Sequence, residues 1–166
     1  IEDLQNPISR YASQVYSADG KLLGTYNMNR ENRIHVGYNN LSPYLIEALV
    51  ATEDERFYEH SGIDFIALAR AVVKRGLLGQ TSAGGGSTIT QQLAKNAYLT
   101  QDRTLKRKVQ EVFLALQLER KYTKDEILEL YLNQIYFGQG AYGVQAAAKT
   151  YFGKNVEELD LNECAM

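Results

Sequence analysis

The sequence predicts a mainly α-helical domain with a small β appendage near its N-terminal end. Three observations predict it. Apolar residues recur at helical spacing, as in Leu45, Ile46, Leu49 and Val50, and again in Ile127, Leu130, Tyr131 and Ile135. Helix starts carry their own chemistry: Ser42-Pro43, Asp64 and the capping box Thr123-Lys-Asp-Glu126. Strand signals are confined to residues 14–38. There Asp19-Gly20, between two short apolar runs, reads as a hairpin turn, and the alternation of Ile34, Val36 and Tyr38 reads as a third strand. His35 reads as a surface or strand-packing residue rather than a ligand.

The first helix begins with a hydroxyl N-cap and a proline at its first position, and it delivers Glu53 at its C-terminal end. The second, capped by Asp64, is broadly apolar (Phe65, Ile66, Leu68, Ala69, Val72, Val73), with Arg70, Lys74 and Arg75 on the remainder. A core helix is the default reading; a basic, apolar helix lying at a membrane surface is the alternative. Residues 76–86 hold five glycines in eleven, a composition that predicts a mobile loop, with Leu77-Leu78 suited to settle on lipid. Ser87 ends this loop and is expected to cap a helix from Thr88 to about Tyr98, with Ile89, Leu93 and Ala97 on one stripe. A glycine-rich loop feeding a hydroxyl-rich helix start can bind an anion, although Lys95, eight residues beyond Ser87, is too far along for a P-loop. An ordinary capped helix is the plain alternative.

The longest helix runs from Asp102 to about Tyr122, with an expected core stripe of Leu105, Val109, Val112, Phe113 and Leu116. Arg103, Arg107 and Glu111 lie on the opposite side, which continues into Leu114 and Leu118; the helix thus becomes apolar all round, as a central buried helix would be. Glu111 stands at the changeover. Arg103, Lys106, Arg107 and Lys108 crowd four cations into six residues, an arrangement eased by a bound anion or by surface salt bridges. Gly138 and Gly140 then break the chain, Gly143 to Phe152 forms an alanine-rich helix ending at Gly153, and Asn162 starts one more.

At 166 residues the chain is one domain with a small addition: an appendage over residues 1–40 and a main domain over 41–166. The net charge of −2 argues against nucleic acid as partner. The single cysteine, Cys164, permits no internal disulfide. No apolar run approaches the ~20 residues of a membrane span, and no signal peptide is present. The abrupt start at Ile1 and stop at Met166 point to a fragment lacking an anchor or further domains.

The densest chemistry is in Ala51-Thr-Glu-Asp-Glu-Arg-Phe-Tyr-Glu-His-Ser-Gly62, with four carboxylates, an arginine, two aromatics and a histidine. Acid/base catalysis needs a carboxylate in partly apolar, partly acidic surroundings, and Glu53, directly after Leu49, Val50 and Ala51, fits best. A solvated acidic helix end is the plain alternative.

Five ordered blocks together resemble the peptidoglycan glycosyltransferase domain (family 51) of class A penicillin-binding proteins. They are Glu53-Asp-Glu-Arg-Phe-Tyr-Glu-His-Ser-Gly62, Gly86-Ser-Thr-Ile-Thr-Gln-Gln-Leu-Ala-Lys-Asn96, Arg107-Lys-Val-Gln-Glu111, Lys124-Asp-Glu-Ile-Leu-Glu-Leu-Tyr-Leu-Asn133 and Gly140-Ala-Tyr-Gly-Val-Gln-Ala-Ala-Ala-Lys-Thr-Tyr-Phe-Gly153. The hairpin resembles the β linker that follows the membrane anchor in such proteins. The anchor, the domain's last helices and the transpeptidase domain are absent from this sequence.

The resemblance implies a lysozyme-like, two-lobed helical fold whose smaller lobe is partly embedded in membrane, at the extracytoplasmic face of the bacterial cytoplasmic membrane. It implies polymerisation of lipid II into β-1,4 glycan strands, with inversion and release of undecaprenyl pyrophosphate. Lipid II, the growing glycan chain and the membrane surface would be the partners, nucleic acid would not, and a transpeptidase domain would share the full-length chain. Glu53 would be the base and Glu111 the second catalytic carboxylate. Lys95, Arg103, Arg107 and Lys108 would supply charge, and Ser87 and Gln92 hydrogen bonds, to the pyrophosphate. Asp54, Phe57, His60 and Gly62 would hold the first block in shape. No cofactor is required; a divalent cation, Mg or Mn, could sit at the pyrophosphate with Glu111 as its ligand. The phosphoglycolipid moenomycin would bind at the cation site. The rivals are a lysozyme-like hydrolase or lytic transglycosylase, which needs no pyrophosphate site, and a non-catalytic membrane or glycan-binding module, against which the presence of both glutamates tells.

Overall fold

A computed structural model describes residues 13–26, 33–77, 86–98 and 105–166. Two strands, β1 (Ser13–Tyr16) and β2 (Leu22–Tyr26), form an antiparallel hairpin. Seven α-helices follow among the described residues: α1 (Pro43–Glu53), α2 (Phe65–Leu77), α3 (Ile89–Tyr98), α4 (Leu105–Lys121), α5 (Lys124–Gln134), α6 (Val144–Phe152) and α7 (Leu161–Cys164). The protein is therefore mainly helical with a small N-terminal β element. It divides into two compact units, residues 1–45 with 132–166, and residues 46–131.

In the first unit the hairpin turns where the sequence places it. Lys21 N–H donates to Ser17 Oγ at 3.1 Å, Gly20 N–H to Ser17 O at 2.9 Å, and Gly20 takes φ +79°. The expected third strand over Ile34–Tyr38 does not form. Val36 finds its two backbone hydrogen bonds on one side chain instead: its N–H donates to Asn133 Oδ1 at 2.9 Å, and Asn133 Nδ2 donates to Val36 O at 2.8 Å. A side-chain amide thus satisfies this buried backbone as a neighbouring strand would. Ala141, Ala146 and Ala147 pack the core at the start of α6, which ends on left-handed Gly153. Asp160, not Asn162, starts the last helix: its carboxylate accepts from Glu163 N–H, and Glu163 reciprocates.

The second unit is built around Phe57, Ile89, Leu93, Ala115, Ile127, Leu128 and Tyr131, all buried. Two helices turn faces to this core other than those expected. Helix α4 buries Glu111, Ala115 and Leu118, whereas Leu105 and Phe113 of the anticipated stripe are 88% and 64% exposed. The alanine explains the phase. Gly62 sits against it at φ +93°, where even a Cβ would stand 3.1 Å from Ala115 O, so the first block approaches α4 on its smallest side chain. Helix α2 is not the default core helix: Phe65 is 71% exposed, and Ile66, Leu68, Val72 and Val73 are exposed too. It packs through Ala67, Ala71 and the backbone at Leu68, which meet Gly86. Small residues let the backbones approach; the large apolar ones are left outside.

Helix α2 starts on Asp64, whose Oδ1 accepts from Ile66 N–H at 2.9 Å and Ala67 N–H at 3.0 Å, and from Arg56 Nη1 at 3.2 Å. Burial opposes the charge, but the Ala67 N–H, the Arg56 guanidinium and the Ile66 N–H outweigh it and hold the carboxyl below its ordinary value. A depressed folded-state pKa stabilises above the unfolded value and is lost as pH falls through the folded one. Asp64→Ala is expected to cost about 1–2 kcal/mol at neutral pH, as lost caps do, with the deficit shrinking below about pH 4, near the unfolded aspartate value. Urea unfolding at several pH values checks this; a deficit that grows on acidification contradicts it.

Candidate active site

The candidate residues gather in the second unit. Glu53 is the last residue of α1 and its side chain is exposed rather than lodged in an apolar pocket. Gln92 of α3 holds it: Gln92 Nε2 donates to Glu53 Oε2 at 2.8 Å, and Gln92 Oε1 accepts from the Tyr131 hydroxyl of α5 at 3.0 Å.

The rest of the first block is fastened to α3. His60 Nε2 lies 2.9 and 3.0 Å from the two Asp54 oxygens, and Gly62 N–H donates to His60 Nδ1 at 3.1 Å. With Nδ1 an acceptor, the ring carries its hydrogen on Nε2, and that N–H donates a hydrogen bond to Asp54. The other Asp54 duty is at the helix start: Oδ2 accepts from Ile89 N–H at 3.0 Å, where the positive end of α3 favours a carboxylate. The cap itself is Thr88, not Ser87. Thr88 Oγ1 accepts from Gln91 N–H at 3.1 Å, Gln91 Oε1 accepts from Thr88 N–H at 3.0 Å, and the Thr88 hydroxyl donates to Gly62 O at 2.7 Å. A threonine with glutamine three residues on makes a capping box, a signal readable from the sequence. Phe57 is fully buried, with the Lys124 ammonium 4.3 Å from its ring centre. Lys124 also donates to His60 O at 2.7 Å and Glu119 Oε1 at 2.8 Å, and the Thr90 hydroxyl donates to the same Glu119 oxygen at 2.6 Å.

Relieved of capping, Ser87 faces a cation. Lys108 Nζ donates to Ser87 Oγ at 3.0 Å and to Glu111 Oε1. Glu111 is 2% exposed. Lys108 is partly exposed, so its ammonium stands between a buried anion and the open side. Arg107 is half-buried one turn before Glu111. Lys95 is exposed in the last turn of α3, six residues or about 9 Å of helix beyond Ile89. The geometry therefore joins Ser87 to Lys108 and Glu111 and leaves Lys95 farther along. Arg103, and most of the expected 76–86 loop, lie outside the described residues.

A cavity of about 170 Å³ is lined by Thr52, Glu53, Arg56, Arg70, Gly86 and Ser87, among others. Glu53 and Ser87, the latter bonded to Lys108, thus line one space. The donors do not suit a resident divalent ion. Among the described residues no three His, Cys, Asp or Glu converge, and Lys108 occupies the Glu111 carboxylate. Sequence reasoning gave Tyr131 a place in a core stripe but no role at the site, and gave none there to Thr88, Thr90, Glu119 or Lys124. Tyr131 and Lys124 fall inside the fourth block, which was the available signal.

Comparison with known proteins places the chain in a family. The family described as Transglycosylase matches residues 19–166. Penicillin-binding protein 1A of Escherichia coli K12 is 54% identical over 153 residues, covering 92% of this chain and 18% of that protein. Penicillin-binding protein 1A of Aquifex aeolicus is 52% identical over 155 residues, covering 93% and 21%. Penicillin-binding protein 1F of Bacillus subtilis is 53% identical over 166 residues, covering 100% and 23%. The chain spans about a fifth of the length of these curated relatives. A family match over nearly all of the chain, with relatives above half identity along its length, settles its membership: the chain belongs to the transglycosylase family.

Proposed function

We propose that this chain is the glycosyltransferase part of a cell-wall polymerase that joins lipid II into β-1,4 glycan with inversion at the donor sugar. Glu53 accepts the proton of the acceptor's 4-hydroxyl. The freed oxygen bonds to the donor's anomeric carbon as the bond from that carbon to the lipid pyrophosphate breaks, and the electron pair leaves with the phosphate oxygen. Lys108 meets the growing negative charge; Glu111 and Ser87 hold its ammonium in place beforehand, so little reorganisation remains when charge develops. The Ser87 hydroxyl hydrogen and the second N–H of the Gln92 amide are donors for phosphate oxygens. Lys95, Arg103 and Arg107 add positive charge. Asp54, Phe57, His60 and Gly62 keep the first block in shape.

The observation that carries this reading is Ser87, which lines the same cavity as Glu53 and is joined to Lys108 and through it to Glu111. A hydrolase cleaving a neutral glycosidic bond needs the carboxylate but not the cation site. The exposed apolar face of α2, with Arg70 beside it, supports contact of this unit with lipid. Among the described residues no helix is long and apolar enough to cross a membrane. We place the anchor and a transpeptidase domain in the remainder of a longer chain, whose glycosyltransferase works at the extracytoplasmic face of the cytoplasmic membrane.

Calorimetry with two ligands tests the reading. Moenomycin is expected to bind, and removing charge at Lys108, Lys95 or Arg103 to weaken it by about 10- to 100-fold, the scale of hydrogen bonds to charged groups. Tight binding of uncharged chitooligosaccharide with no binding of moenomycin, in protein shown to be folded, overturns it.

A further inference from the structure

We propose that Tyr131 is a positioning residue of this site, its hydroxyl acting through the Gln92 amide to orient the Glu53 carboxylate. The proposal rests on Glu53 being the base. Three helices contribute one member each to a continuous chain: Tyr131 of α5 donates to Gln92 of α3 at 3.0 Å, and Gln92 donates to Glu53 of α1 at 2.8 Å.

The hydroxyl is the informative atom. The Tyr131 ring is 2% exposed and packs in the core of its unit, a task phenylalanine would perform equally well. A buried hydroxyl stabilises only when partnered, and the partner here is the amide that holds Glu53. Burial, and then the Glu53 charge, push the phenol well above its ordinary value, which keeps it a donor. The two ends of a glutamine amide have nearly the same shape, so its partners choose its orientation. A phenolic O–H on Oε1 leaves the N–H end directed at the carboxylate. Glu53 needs such direction: it ends its helix, its side chain is exposed, and it has several rotatable bonds. Without Tyr131 the amide can turn its oxygen towards Glu53, exchanging a donor for a repulsion and releasing the base from its place. General-base catalysis depends on that placement.

The test uses the full-length, membrane-anchored protein with labelled lipid II, and separates kcat from KM. Tyr131→Phe is expected to lower kcat by about tenfold or more, within the range that misplacing a catalytic group costs, and to leave KM within about twofold. Gln92→Met, which keeps volume and removes the amide, is expected to lower kcat at least as far, and to raise KM as well because its second N–H is lost to the phosphate. The double variant should be no slower than Gln92→Met alone, because the hydroxyl has nothing left to act through. A purely structural tyrosine predicts a lowered melting temperature with unchanged kcat, or a loss that adds to that of Gln92→Met; either result overturns the proposal. So does a Gln92→Met variant whose defect is in KM alone, which would make the amide a substrate ligand only. Should Tyr131→Phe fail to fold, the kcat and KM of Gln92→Met still decide. Glu53→Gln is the reference: if it is inactive while Tyr131→Phe is normal, positioning alone fails; if Glu53→Gln itself turns over normally, the assignment of the base fails as well.

Discussion

Glu53→Gln is expected to leave the protein folded and to lower lipid II polymerisation by about 10²–10⁴-fold, the contribution of a positioned general base. The folded part follows from place. Glu53 is exposed, contributes no buried packing and sits at the C-terminal end of α1, where a negative charge opposes the helix dipole. Removing that charge should not lower the melting temperature. A carboxylate kept at the helix end that disfavours it, and held there by a glutamine from another helix, breaks a local rule, as functional sites are expected to do. The catalytic part follows because a glutamine amide cannot take up the acceptor's proton. Polymerisation of labelled lipid II and a thermal melt of the same preparation are the two measurements. Near-normal turnover would remove Glu53 from its role.

Glu111→Gln is expected to be severe by a different route. Glu111 is buried and accepts from Lys108, and Lys108 reaches Ser87. An amide keeps the shape but loses the charge that fixes the ammonium. Hydrogen bonds to charged groups are worth about 1.5–3 kcal/mol, or roughly 10- to 100-fold. The loss should fall on the donor's pyrophosphate: weaker moenomycin binding, and polymerisation partly restored by raising lipid II. Glu53→Gln should bind moenomycin nearly as the unaltered protein does and gain nothing from added substrate. Identical substrate responses in the two variants would count against separate roles. Lys108 is partly exposed, so the change strands no buried cation, and a folded Glu111→Gln protein is expected.

Much of this protein was legible in its residues one stretch at a time. The hairpin at Asp19-Gly20, the cap at Asp64, the Thr123–Glu126 box and the end of α6 at Gly153 are local events, decided by side chains within a few residues of the backbone they serve. The five blocks identified the family because their order and spacing are properties of the chain itself. Which face of a helix turns inward is a different kind of fact. Helix α4 offers two apolar arcs. Periodicity chose the one with Leu105, Val109 and Phe113, but the core took the one with Glu111, Ala115 and Leu118, where Gly62 can approach an alanine. Helix α2 likewise packs on its alanines and leaves its large side chains exposed. Val36 found its hydrogen bonds on Asn133, 97 residues away, and so made no strand. The same holds at the site. Glu53, Gln92 and Tyr131 lie 39 residues apart at each step, and Ser87 and Lys108 are 21 apart. Each is ordinary in its own segment. Only the packing of α1, α3, α4 and α5 brings a donor within 3.0 Å of an acceptor, and hydrogen bonds fall off over fractions of an ångström that no sequence spacing specifies.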